Sequence, residues 1–287
     1  MKISFFLILR VFLYSIIALC AVWGAGHFYS EIPYYIKTIR YLRNSNSEQV
    51  SDKNKQQVLN HVGIIMDGNR RWAKQQGLKP QCGHKKGCDP LRYSIELCLE
   101  RSIPYLTVYA FSLENFKRSK EELDYLFGVI AKELVSTDLL KLYDRGVRVR
   151  VYGDRAQFPD QLISLIAEVE EKTKNNTTMQ LGILVCYGGQ QEIVAATKKI
   201  AADVAAGKVA IESIDEKLFE TYLWTAGLPT PDLIIRTGGA KRLSNFLTYK
   251  SAYSEILFVD DFWPSMSKER LGKILDEFNK VERRYGA

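Results

Sequence analysis

Residues 61–74 read His61-Val-Gly-Ile-Ile-Met-Asp-Gly-Asn-Arg-Arg-Trp-Ala-Lys74. The apolar run Val62–Met66 has the length and composition of a buried strand and ends on a single acid, Asp67. Gly68 follows, and from Asn69 onward the stretch reads as the start of a helix. In an open α/β sheet, ligands gather at the carboxyl ends of strands. This stretch sets a carboxylate, a glycine, the free N–H groups of a helix start and two guanidinium groups (Arg70 and Arg71) at such an end, a combination suited to a metal ion and phosphate.

The same alternation continues outward from this stretch. Strand candidates fall at 62–67, 105–111, 147–152, 180–186 and 232–236, with a sixth at 255–259, and helical patterns fill 83–101, 119–144, 159–175, 188–206, 213–225 and 267–284. Strands separated by helices imply βαβ units. The expected fold class is therefore α/β, with a central, mostly parallel sheet of about six strands flanked by helices. Ser119 and Glu122 have the spacing of a capping box at one helix start. No G-x-G-x-x-G follows the first strand, and no phosphate-loop G-x-x-x-x-G-K-[ST] occurs, so neither a dinucleotide fold nor a P-loop enzyme is supported.

The 287 residues carry a net charge of +7. That excess is compatible with nucleic acid, anionic lipid or a phosphorylated substrate, and does not choose among them. The five cysteines, Cys20, Cys82, Cys88, Cys98 and Cys186, are odd in number and scattered, which argues against a disulfide framework. Cys82, His84 and Cys88 lie close together, but no second Cys or His pair completes a zinc site.

Upstream, residues 3–26 are apolar except for Arg10, long enough as a helix to cross a hydrocarbon core of ~30 Å. A spanning or interfacial anchor over 1–30 is the expectation. A cleaved signal peptide ending near Gly24-Ala25-Gly26 and a buried helix are the alternatives. Lys37, Arg40 and Arg43 follow the segment, which leans toward a membrane-associated protein whose main domain faces the cytoplasm. A polar linker is expected over 31–57 and the globular domain over 58–287.

Two further stretches concentrate chemistry. Tyr109-Ala-Phe-Ser-Leu-Glu-Asn-Phe-Lys-Arg118 follows a strand candidate and packs Ser112, Glu114, Asn115 and Arg118 into seven residues; a capped loop before a helix would also account for it. Pro231-Asp-Leu-Ile-Ile-Arg-Thr-Gly-Gly-Ala-Lys-Arg-Leu-Ser-Asn-Phe246 ends a strand on Arg236, then supplies two glycines, Arg242 and Ser244. Glycines let backbone N–H groups approach a ligand, and guanidinium groups bind phosphate through paired donors. Tyr253-Ser-Glu255 adds an acid. In a parallel sheet these groups are expected to gather at one edge. Few acids among many arginines suit Mg²⁺ with a diphosphate, because Mg²⁺ keeps several waters and takes only one or two protein carboxylates.

These stretches, with Gly-His-Lys-Lys-Gly at 83–87, resemble the signature regions of the cis-prenyltransferase family, in order from about 61 to the C-terminus. The aspartate-rich D-D-x-x-D motif of trans-prenyltransferases is missing. The resemblance implies a parallel sheet flanked by helices with a hydrophobic tunnel. It also implies an Mg²⁺-dependent enzyme that adds isopentenyl diphosphate units, in cis, to an allylic diphosphate such as farnesyl diphosphate. Carried over by position, Asp67 resembles the catalytic aspartate, and Gly68, Asn69, Arg70 and Arg71 its phosphate-binding loop. Trp72 and His84 resemble further substrate contacts, and Ser112 and Asn115 residues assigned to proton removal and positioning. Leu113, Glu114, Phe116 and Arg118 stand beside them. Arg236, Arg242, Leu243 and Ser244 resemble the isopentenyl diphosphate site, and Glu255 the second metal ligand. Arg284-Tyr285-Gly286 resembles a tail that reaches a neighbouring subunit's site, which implies a homodimer.

The chain departs from the family's bacterial members at Arg70, in place of a glycine, and at Pro80, in place of an arginine, and from the family's usual pattern at Ala240, in place of the acid after Thr-Gly-Gly. A non-catalytic, membrane-anchored accessory subunit of a heteromeric enzyme is the competing reading. The intact Asp67, Asn69, Arg71, Ser112 and Asn115 argue against it. A nucleic-acid partner is not expected, because the arginines sit at strand ends beside acids.

Overall fold

The structure is a computed structural model and describes residues 59–278, which fall within the compact unit Val58–Ala287. The expected apolar anchor, the linker and the Arg284–Gly286 tail lie outside the described residues. Among the described residues no helix is long and apolar enough to cross a membrane.

Six strands form one sheet: β1 (His61–Ile65), β2 (Tyr105–Tyr109), β3 (Val147–Tyr152), β4 (Met179–Leu184), β5 (Leu233–Arg236) and β6 (Glu255–Phe258). Their order is β3-β4-β2-β1-β5-β6, and every pairing is parallel. All five β1 residues are buried, as a strand covered by helices on both faces requires. Alternate residues part to opposite faces. Leu106 and Val108 of β2 join one apolar cluster with Val62, Ile64, Leu233 and Ile235. Ile65, Leu184 and Ile234 join a second, with Tyr105 and Tyr109 packed against it.

The helices are α1 (Asn69–Gln75), α2 (Pro80–Lys86), α3 (Cys88–Glu100), α4 (Lys120–Leu134), α5 (Thr137–Asp144), α6 (Asp160–Thr173), α7 (Gly189–Ala205), α8 (Glu216–Tyr222) and α9 (Lys268–Phe278). Two stretches expected as single helices are each broken. The 83–101 pattern splits at Gly87, which ends α2 and starts α3. The 119–144 pattern splits after Leu134, where the Ser136 hydroxyl accepts a hydrogen bond from Leu139 N and caps α5. Apolar periodicity runs through both breaks, so it does not reveal them. Half of the expected capping box forms: Ser119 Oγ accepts from Glu122 N at 3.3 Å, while the Glu122 carboxylate turns to Arg118.

The topology fixes where a ligand can sit. From β1 the chain proceeds to β2 on one side, whereas β5, on the other side of β1, proceeds to β6. The loops after β1 and β5 therefore diverge and leave a crevice between them, the switch point at which open α/β sheets bind ligands.

Candidate active site

Asp67 follows β1 and Arg236 ends β5, so both stand at that crevice. The two strands are in register, Ile65 beside Arg236, and the Arg236 Nη2 donates to Asp67 Oδ2 at 2.9 Å. The other Asp67 oxygen accepts from Gly68 N at 2.6 Å and lies 3.2 Å from Arg71 Nη2. Thr237 locks the two loops together. Its hydroxyl accepts from Asp67 N at 3.0 Å and donates to Asp67 O at 2.7 Å. Gly68 has φ 103°, and a Cβ there would also lie 2.7 Å from the Phe262 ring, so glycine is required for the chain to turn from Asp67 into α1. Arg71 leans over the same ring, 5.2 Å from its centroid.

Arg236 is only 4% exposed. Its Nη1 donates to Ser244 Oγ at 2.7 Å and to the Arg242 carbonyl, while Arg242 Nε reaches the same Ser244 hydroxyl at 3.2 Å. Gly238 and Gly239, at φ 81° and 73°, fold the chain back to make this possible. Three buried polar atoms here have no protein partner: Arg236 Nε, Asn69 Oδ1 and His84 Nε2. Buried donors and acceptors are ordinarily satisfied, so three orphans in one crevice mark a place prepared for polar ligand atoms.

A second group assembles across the crevice. Glu122 Oε1 lies 3.0 Å from Arg118 Nη1, 3.8 Å from Arg70 Nε and 3.9 Å from His84 Nε2. Burial, then the nearby Arg118 cation, lowers the His84 pKa to about 4, so the ring is neutral at pH 7. Asn115 Oδ1 accepts from Ser112 N at 3.1 Å, closing a tight turn after β2. Glu114 accepts from Asn245 Nδ2 at 2.9 Å, which ties this turn to the loop after Ser244.

Two cavities meet at Asp67. One, of about 780 Å³, is bordered at its mouth by Asp67, Asn69, His84, Ser112, Glu114, Asn115, Arg118, Arg236, Arg242, Leu243 and Ser244. Inward, its walls become hydrocarbon: Leu91, Val108, Leu126, Ile130, Leu134 and Ile183. The other, of about 720 Å³, is strongly basic, bordered by Arg70, Arg71, Lys74 and Arg118 together with Asp67, Gly68, Asn69 and His84. Pro80, in place of an arginine, also borders it.

Not every expected residue arrives. Glu255 begins β6, and by register its level is three residues, about 10 Å, short of that of Arg236 and Phe258. It stands toward the opposite edge of the sheet, so within one chain it is not a co-ligand of Asp67, contrary to the expectation that the strand-end groups gather at one edge. Trp72 is half-buried on α1 and borders neither cavity. Leu113 and Phe116 support the turn from behind. Leu113 N donates to the Tyr187 carbonyl at 3.0 Å, and Phe116 meets Phe111 edge-on at 5.1 Å. Sequence reasoning missed Thr237, Asn245, Glu122 as an anchor of three basic groups, and Trp263, whose indole donates to Gly87 O at 2.8 Å. The only sequence signal for any of them is proximity to a quoted stretch.

The undecaprenyl diphosphate synthase prenyltransferase family model matches residues 65–286. An isoprenyl transferase of Agrobacterium fabrum is 43% identical over 227 residues, covering 79% of this chain and 92% of that one. The geranylgeranyl-diphosphate-specific tritrans,polycis-undecaprenyl-diphosphate synthase of Pyrococcus horikoshii is 46% identical over 229 residues, covering 79% and 86%. Among solved structures, lavandulyl diphosphate synthase from Lavandula x intermedia, in complex with dimethylallyl diphosphate, superposes with a TM-score of 0.77 at 35% identity, covering 80% of this chain and 98% of that one.

Proposed function

Since the chain belongs to the cis-prenyltransferase family, we propose that it condenses isopentenyl diphosphate in cis onto an allylic diphosphate, farnesyl diphosphate being the expected primer, and builds a long polyprenyl diphosphate. The observation that carries this reading is the Asp67–Arg236 pair at the mouth of a cavity that is polar outside and hydrocarbon within. A diphosphate and a growing apolar chain need those two environments side by side.

The residues divide the work. Arg70, Arg71 and Arg118, around the basic cavity, neutralise the allylic diphosphate as its C–O bond breaks and negative charge moves onto the leaving oxygen. Arg236, Arg242 and Ser244, already hydrogen-bonded to one another, hold the diphosphate of isopentenyl diphosphate. This presents its terminal alkene carbon to the allylic carbon. As the new C–C bond forms, the proton on C2 departs to released diphosphate or water, and Asn115 and Ser112 position that end of the substrate. Asp67, shared by both cavities, sets the distance between the two diphosphates.

An Mg²⁺ site fits these residues: Asp67 offers a half-exposed carboxylate, and Asn69 Oδ1 is a buried oxygen without a protein partner. Asp67 and Asn69 would hold the ion together with substrate oxygens and water, as Mg²⁺ takes only one or two protein carboxylates. When bound, the ion adds positive charge at the leaving diphosphate. Membrane association rests on the apolar stretch 3–26, and a homodimer on the Arg284–Gly286 tail.

Purified full-length chain, given labelled isopentenyl diphosphate, farnesyl diphosphate and Mg²⁺, should make a butanol-extractable polyprenyl diphosphate unaided. Product formed only after a partner subunit is added would favour the accessory role instead.

A further inference from the structure

Deep in the apolar cavity the wall carries a charge. Glu133 borders it, one residue before the end of α4 and eleven residues, about 16 Å, beyond Glu122 at the mouth. A lone carboxylate there would be costly to bury. It is held by Arg92 of α3 through two parallel hydrogen bonds, Nε to Oε1 and Nη2 to Oε2, both 2.8 Å. Glu133 is 13% exposed and Arg92 23% exposed.

The third Arg92 nitrogen reaches further. Nη1 lies 3.4 Å from Asp89 on α3 and 3.2 Å from Asp138 in the first turn of α5. One guanidinium therefore pins together the three helices that enclose the far end of the cavity. Each of the three also contributes an apolar residue there: Leu91 from α3, Leu134 from α4 and Leu139 from α5. The ion pairs join the three helices that supply those apolar residues, through Glu133 on the cavity wall and the exposed Asp138 outside it.

Resting on the prenyl-transfer reading above, we infer that the Arg92–Glu133 pair, tied to Asp138, is the stop that sets product length. Each isoprene unit that enters the tunnel gains free energy by burying apolar surface. A chain end that reaches Glu133 meets a paired charge instead of hydrocarbon. Further growth requires α5 to part from α3, which breaks the contact between Arg92 and Asp138. Elongation loses its driving force there, and the product leaves.

The test is the length distribution of products, resolved by reversed-phase chromatography after dephosphorylation. Because chain length reflects how elongation competes with release, parent and variants are compared at one fixed ratio of isopentenyl to allylic diphosphate. Glu133→Ala removes the charge and both hydrogen bonds. Arg92→Leu/Glu133→Leu removes both charges while refilling the volume, an exchange that buried ion pairs commonly tolerate. Both should shift the distribution upward by one or more isoprene units. A cooperative thermal melt certifies each variant, and the double variant carries the test if Glu133→Ala does not fold. A distribution from a folded variant that equals the parent's, or is shorter, overturns the inference and leaves the prenyl-transfer reading standing. A parent chain that makes no polyprenyl product overturns both.

Discussion

Gly83 makes no contact with a substrate cavity, yet its substitution tests how the site is built. A Cβ at this position would lie 2.0 Å from the Asn69 carbonyl oxygen and 2.8 Å from its carbon, with Ala73 Cβ at 3.3 Å. The obstacle is backbone in the first turn of α1, not the end of a flexible side chain. Real Cβ contacts stay above 3.0 Å, so Gly83→Ala forces α1 and α2 apart by about 1.0 Å. Overpacking of this kind costs about 1–3 kcal/mol of stability. The larger effect should be on activity, because α1 carries Asn69, Arg70 and Arg71. Displacing catalytic groups by ~1 Å costs turnover roughly 10²-fold. The assay is steady-state incorporation of labelled isopentenyl diphosphate, beside urea unfolding of the same preparation. Gly207→Ala is the control. It lies at φ 71° with nothing within 4 Å and should lose about 1–2 kcal/mol of stability but no turnover. If Gly83→Ala turned over within twofold of the parent, close apposition of α2 would not be what positions the Asp67 loop.

Three other outcomes follow from particular contacts. Arg236→Met removes the buried partner of Asp67 and of Ser244, and should cost about 2–3 kcal/mol in kcat/KM, or roughly 30- to 150-fold, mostly as a higher KM for isopentenyl diphosphate. Gly128 sits inside α4, and a Cβ added there would meet nothing within 4 Å, so Gly128→Ala should raise stability by up to about 1 kcal/mol, read as a higher urea midpoint. Burial lowers the pKa of His61 to about 4, against its hydrogen bond with the Pro229 carbonyl. Below pH 6.5 the unfolded chain therefore binds a proton that the folded chain refuses, and stability falls as pH drops toward 4. At pH 5 the loss from His61 is about 2 kcal/mol, and His84 acts in the same direction; urea midpoints measured from pH 7 to 5 should decline accordingly.

The sheet was legible because each buried parallel strand is a short apolar run closed by polar or glycine residues, as in Val62–Met66 before Asp67. The helix breaks at Gly87 and Ser136 were not, since the apolar face continues across both. At the site, Asp67 and Arg236 were readable as strand-end groups, and parallel pairing brings such groups together. Glu255 was misplaced by the same argument applied without regard to direction. Asp67 follows its strand while Glu255 begins one, and in a parallel sheet those positions lie toward opposite edges. Long-range partners had no sequence signature. Thr237 is recognisable as the clasp on Asp67 only once β5 is seen beside β1, and Glu122 looked like a helix cap until α4 was placed against Arg70 and His84.

We assign prenyl transfer to the crevice between β1 and β5, centred on Asp67. Asp67→Ala tests that assignment most directly. The side chain is half-exposed, and Arg236 keeps its bonds to Ser244 and Arg242, so the fold should persist, as a cooperative urea transition would show. Incorporation of labelled isopentenyl diphosphate should fall below detection in that folded variant. Near-parental incorporation would contradict the assignment of this crevice as the catalytic centre.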